Sequence, residues 1–148
     1  MSNTWTYDRS TQQLFDNEDN EIENTTGGAI YAGCGKNQNE IESESKGTPK
    51  NYRRGKTCYA EAGPLPAGLY VVGKPFDDPD HLDPYVMKLT PDLNNKMYGR
   101  EGFYIHGDSK SHPRKASDGC IVMPKNMREA IGISRKRNHW EELTLKVA

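Results

Sequence analysis

Apolar residues in this chain come in short runs, and almost every run is bounded by glycine, proline or an asparagine- or aspartate-rich turn. An amphipathic helix needs about ten or more residues with apolar positions three and four apart, whereas a strand needs about five with apolar positions two apart. Runs as short as Leu69 to Val72 and Phe103 to Ile105 therefore fit strands, and the chain reads as mainly β. The hydrophobic fraction of 33% is low, but 14 Gly, 9 Pro and 8 Tyr are spread between the runs, which favours a loop-rich β domain over disorder. At 148 residues the chain suits one domain over 1–148, long enough for a real core and too short for a second.

Taken in order, Trp5 and Tyr7 alternate with Thr4 and Thr6, and an Asp8-Arg9-Ser10 turn leads to Leu14 and Phe15. This predicts an N-terminal hairpin. Ala29 to Ala32 is a further strand, and the aperiodic, polar stretch from Lys36 to Lys56 is expected as a long, mobile surface loop. Gly63-Pro64-Leu65-Pro66-Ala67-Gly68 is a rigid turn that delivers Leu69 to Val72 as a buried strand. Tyr85 to Thr90, with Tyr85, Met87 and Leu89 on one side, is another strand; Asp92 to Arg100 turns the chain, and Phe103 to Ile105 is a strand ending at His106. Pro124 is placed to begin a short helix that carries Met127 and Ile131 on one face and stops near Gly132. Leu143, Leu145 and Val147 alternate with polar residues in a closing strand. The count is about seven strands and one helix.

With 20 Lys and Arg against 21 Asp and Glu the net charge is -1, which offers no broad basic surface to nucleic acid. The first twenty residues lack the basic and apolar pattern of an export signal, and no window approaches the roughly 20 apolar residues of a membrane span. The expectation is a protein made in soluble form without a standard export signal.

Chemistry concentrates in Gly102 to Met123, where His106 ends a strand and Cys120 follows a polar loop. A thiol becomes a nucleophile when a base takes its proton and backbone N–H groups can receive an oxyanion. His106 is the expected base, Cys120 the nucleophile, and Gly119 allows the backbone to approach a substrate carbonyl, so the N–H groups of Cys120 and Gly119 are the candidate oxyanion donors. Ser117 is placed to bond within the loop or to substrate, and Asp108 to orient His106. His112 is a second candidate base in an exposed Ser-Lys-Ser-His-Pro-Arg run.

His106-Gly107 followed by Ser117-Asp118-Gly119-Cys120-Ile121 resembles the signature of the L,D-transpeptidase (YkuD-type) catalytic domain, a resemblance that covers about Tyr31 to Ile131. Gly63 to Tyr70 and Phe103 to Asp108 look most similar to the L,D-transpeptidase-related effectors delivered by bacterial type VI secretion. The resemblance implies an L,D-transpeptidase-like β-sandwich with one short helix after the catalytic cysteine and a long surface loop. It implies catalytic roles for Cys120, His106, Gly119 and Ser117, and substrate contacts from Tyr104, Gly107, Asp108, Ser109, His112 and Asp118. It further implies no cofactor, peptidoglycan stem peptides as substrate, delivery into a target cell's periplasm by a secretion apparatus, and a cognate immunity protein. Asp118 and Val122 stand where the larger family carries His and Arg. That departure favours trimming or exchange of a terminal D-amino acid over cross-linking.

The rival chemistry is zinc, drawn from Cys34, Cys58, Cys120, His106 and His112, but no CxxC or HxxxH pair supports it and no metal is expected. Cys34 and Cys58 read as structural, free or paired. His81 reads as a solvated loop residue, and Arg135-Lys136-Arg137, with Lys125 and Arg128 nearby, as the solvated end of the helix. A non-catalytic module that holds a cell-wall peptide or a partner on the same fold is the alternative function.

Overall fold

The computed structural model describes residues 3–47, 61–77, 84–110, 114, 117–139 and 142–148. Strands β1 (Thr4–Asp8) and β2 (Gln13–Phe15) form the expected hairpin. They are followed by β3 (Tyr31–Ala32), β4 (Gly68–Val72), β5 (Met87–Pro91), β6 (Phe103–His106), β7 (Ile121–Val122), helix α1 (Lys125–Arg137) and β8 (Leu143–Val147). The eight strands make one curled sheet in the order β2-β1-β8-β4-β5-β6-β7-β3. The mainly β fold, with one α-helix among the described residues, is as expected from the sequence. Its two edges, β2 and β3, are only three and two residues long, and such short edges offer little to pair with another chain.

Alternation decides which side chains enter the core. Trp5 and Tyr7 of β1, Tyr70 and Val72 of β4, Met87 and Leu89 of β5, Phe103 and Ile105 of β6, and Leu143, Leu145 and Val147 of β8 are all buried in one cluster. Each fully buried side chain of this kind contributes about 1.5–3 kcal/mol. β4 is half-buried rather than buried throughout: Leu69 and Val71 face outward. β5 begins at Met87 and not at Tyr85, because Tyr85 has a φ of 63° that a strand cannot carry.

Met127 and Ile131 of α1 close the core. The helix runs past Gly132 to Arg137, and the glycine serves packing instead of termination: a Cβ there would collide with the Tyr85 hydroxyl. Arg128, expected in solvent, is buried, with Nε donating to the Met123 carbonyl at 3.1 Å and Nη1 to the Pro84 carbonyl at 2.6 Å. It ties the helix to the chain entering β5.

The described part of the expected mobile loop is ordered by its own polar side chains. Two 3-10 turns, Gly35–Asn37 and Ile41–Ser43, bury Asn37 and Ser43. The Ser43 hydroxyl donates to Asn37 Oδ1 at 3.0 Å, and Asn37 Nδ2 donates to the Glu61 carbonyl at 2.5 Å. Hydrophobic periodicity carries no trace of such bonds. Residues 48–56 of that loop, and His81 in the acidic loop, lie outside the described residues.

Candidate active site

β6 and β7 run parallel, with Ile105 opposite Ile121 and His106 opposite Val122. Phe103, Ile105 and Ile121 face the core cluster, so alternation turns Tyr104 and His106 to the other side of β6, and Cys120, just before β7, stands opposite Tyr104 while still touching the edge of the core. Cys120 stands two residues before Val122 and is therefore the diagonal neighbour of His106 on the adjacent strand. His106 ends β6 and Cys120 immediately precedes β7, so the pairing of these strands brings the two ends of the loop together.

The turn that presents Cys120 is built by Ser117 and Gly119. The Ser117 hydroxyl is buried, accepts from the Gly33 and Gly119 N–H groups at 3.0 Å each, and donates to the Cys120 carbonyl at 2.6 Å. Ser117 thus works inside the loop. Because the Gly119 N–H is taken by that hydroxyl, it is withdrawn from the oxyanion role expected of it, and the Cys120 N–H is the donor of the two left beside the sulfur. Gly119 has a φ of 125°, in the region that favours glycine, and a Cβ there would strike the Arg100 guanidinium and the Phe103 ring. The Leu65 N–H donates to the Gly119 carbonyl at 3.0 Å, which joins the proline-rich turn to the nucleophile turn.

His106 is buried and its Nδ1 lies 2.7 Å from the Gly107 carbonyl. With Nδ1–H donating to that oxygen, the basic lone pair sits on Nε2. Asp108 does not take the orienting role expected of it. Its carboxylate accepts from the Tyr31 hydroxyl at 2.6 Å, from the Ser109 N–H at 2.8 Å and from the Arg114 N–H at 3.1 Å, and so shapes the loop after β6. Asp118 is exposed beside the nucleophile, and His112 lies outside the described residues.

Sulfur contacts are few: the Tyr104 N–H donates to Cys120 Sγ at 3.3 Å, and Sγ lies 3.9 Å from the Gly102 carbonyl. Burial pushes the Cys120 thiol up to about 11, and the Asp118 carboxylate adds to the rise, while the Tyr104 N–H and Arg100 pull it down. Burial of the sulfur thus opposes formation of the thiolate, and the thiolate and imidazolium pair expected from the sequence has to be formed against it. Burial also raises the Asp118 carboxyl, against the pull of Arg100.

Two contributors escaped the sequence. Tyr31, read only as a strand residue, holds Asp108. Arg100, read as part of a turn, is buried under the nucleophile turn and donates to the Asp118 carbonyl at 3.1 Å. Its one local signal was an arginine placed two residues before a glycine that opens a strand, which is too weak to act on.

Among the described residues no group of three or more His, Cys, Asp or Glu side chains converges to hold a metal ion, and no helix is long and apolar enough to cross a membrane. Cys34 is disulfide-bonded and Cys120 is free, while Cys58 lies outside the described residues.

Residues 6–135 match the family model of the YkuD L,D-transpeptidase catalytic domain. The chain belongs to that family. Comparison with curated proteins and with solved structures returns no match. L,D-transpeptidases of this family are cysteine-dependent and modify peptidoglycan, and membership supports that class of activity here. The match begins within β1 and ends within α1, so it takes in the whole stretch that carries the motif-bearing turn.

Proposed function

We propose that Cys120 is the nucleophile and His106 the general base of a centre that removes or exchanges the terminal D-amino acid of peptidoglycan stem tetrapeptides. The observation that supports this reading is the parallel pairing of β6 with β7, in which His106 pairs with Val122 and Cys120, two residues earlier, is its diagonal neighbour. In the reaction, His106 Nε2 takes the thiol proton as Cys120 Sγ attacks the carbonyl between the third residue and D-Ala. The oxyanion is received by the Cys120 N–H. The tetrahedral centre collapses, its C–N bond breaks, the imidazolium returns the proton to the D-Ala amine, and a thioester remains. Water then completes a carboxypeptidase cycle, and the amine of a free D-amino acid completes an exchange. Burial that raises the thiol supports proton transfer concerted with attack.

Val122, where the larger family carries Arg, is buried and apolar, which supports trimming or exchange over cross-linking. The likeness to secretion-delivered effectors supports an antibacterial role in a target cell's periplasm, countered in the producer by an immunity protein. The test is incubation of wild-type protein and Cys120→Ala with tetrapeptide muropeptides, followed by chromatography. Tripeptide, or tetrapeptide carrying a new D-amino acid, should form with the wild type alone; equal conversion by the variant would sink the proposal. The rival reading, a binding module, draws on the raised thiol and requires the wild type to bind muropeptides without converting them.

A further inference from the structure

The guanidinium of Arg100 is buried, yet neither of the two ion pairs among the described residues includes it. It donates instead to four backbone carbonyls: Nη1 to Glu44 at 2.5 Å and Pro64 at 2.8 Å, Nη2 to Gly63 at 2.9 Å and Asp118 at 3.1 Å. Its plane also lies over the Phe103 ring, 5.2 Å from the centroid. Carbonyl dipoles hold this buried cation without a direct ion pair, and the Asp118 and Glu44 carboxylates act on it only from beyond ion-pair distance, so part of its field is left for other neighbours. Burial lowers its pKa only to about 10, so it stays charged at neutral pH.

The position of that charge is what gives it a use. A Cβ on Gly119 would collide with Nη2, so the guanidinium rests directly against the residue before Cys120, while its bond to the Asp118 carbonyl fixes the residue before that. Acting on the Cys120 thiol are Asp118 on its own turn, the Tyr104 N–H on β6 and Arg100 from the turn between β5 and β6, and His106 is its diagonal neighbour in strand register. Of the two charged side chains nearest the sulfur on that count, only Arg100 favours a thiolate.

We propose that Arg100 is the positioning residue of the nucleophile turn: it locks the Gly63–Pro64 and Asp118–Gly119 backbones together and supplies the positive charge that a developing Cys120 thiolate requires. This deepens the function proposed above and rests on Cys120 being its nucleophile. Arginine suits both tasks, since a planar fork with five donors spans several carbonyls where an ammonium cannot.

The test is the rate of Cys120 alkylation by iodoacetamide at pH 7.5, where Arg100 is charged, in non-reducing buffer, with Cys120→Ala as the blank. Arg100→Gln should slow alkylation about tenfold, as expected for loss of a cation within several ångströms of a thiol. Arg100→Lys keeps the charge and loses the fork, so its alkylation rate should stay within roughly threefold of wild type while muropeptide turnover falls about tenfold. Equal alkylation rates in wild type and Arg100→Gln would overturn the proposal, as would a slowing in Arg100→Lys as large as that in Arg100→Gln. If Arg100→Gln does not fold, by near-ultraviolet circular dichroism, Arg100→Lys decides: an unchanged alkylation rate with reduced turnover supports the proposal, and alkylation slowed about tenfold defeats it. Alkylation needs no peptidoglycan. A wild type that never converts muropeptides therefore removes the proposed function, while the alkylation rates still report on Arg100.

Discussion

The Ser117 hydroxyl and the Cys120 carbonyl are joined by a 2.6 Å hydrogen bond that closes the nucleophile turn on itself. The same oxygen accepts from Gly33 on the segment leaving β3 and from Gly119. One buried atom therefore sets the position of the cysteine relative to the sheet edge.

Ser117→Ala should leave the Gly33 and Gly119 N–H groups buried without an acceptor. The expected loss is about 3 kcal/mol, or roughly 10 °C in the thermal midpoint, with muropeptide turnover falling further than stability alone explains. Thermal unfolding followed by circular dichroism, with turnover measured well below the midpoint, checks both.

His106→Ala should lower turnover by at least ~100-fold, the usual range for loss of a general base. His112→Ala should remain within a few-fold of wild type. Inactive His112→Ala together with active His106→Ala would reverse the assignment of the base.

Asp118→Asn should make Cys120 more reactive. The carboxylate raises the thiol, so its removal increases the thiolate fraction at pH 7.5 by roughly threefold, the effect of half a pH unit. The rate of iodoacetamide labelling should rise by that factor, and no rise would remove Asp118 from the electrostatics of the site.

Glu44 ties Arg9 to the turn beneath the site, with Arg9 Nη1 2.7 Å from its carboxylate. Burial would raise its carboxyl, but hydrogen bonds from Arg9, the Ala67 N–H and the Tyr98 hydroxyl outweigh that, and the net shift is downward from 4.5. A folded-state pKa below the unfolded one gives stability that is present above the unfolded value and lost as pH falls through the folded one. Glu44→Gln should therefore cost about 2 kcal/mol at pH 7, between an exposed and a fully buried pair. That difference should shrink below pH 4. Denaturant melts of both proteins at pH 7 and pH 3.5 measure it, and a difference that does not change with pH would disprove the role.

Alternation and turn residues made the strands legible: Trp5 with Tyr7, and Leu143 with Leu145 and Val147, announced which side faces inward, whereas the unbroken apolar run Leu69 to Val72 hid that only Tyr70 and Val72 do. His106 and Cys120 were legible as types of residue near strand ends, and the pairing of β6 with β7 makes them diagonal neighbours. What stayed hidden depends on bonds between distant backbone atoms. Nothing in the spacing of Arg100 foretells four carbonyls drawn from residues 44, 63, 64 and 118. Gly132 misled for a related reason, since a glycine that stops a helix and one that admits a tyrosine hydroxyl look alike in sequence. Ser43 and Asn37 look like loop solvation until they are seen to bond each other.

The place of β8 in the sheet has a consequence for the order of assembly. It pairs with β1 on one side, Trp5 opposite Leu145, and with β4 on the other, Tyr70 opposite Leu145. Until residues 143–147 have left the ribosome, the β1–β2 ribbon has no strand to join, and an isolated two-stranded ribbon is marginal in water. The motif-bearing turn is thus synthesised before the sheet beneath it can close, and a nascent chain arrested after α1 carries the cysteine and its histidine on an unfinished scaffold.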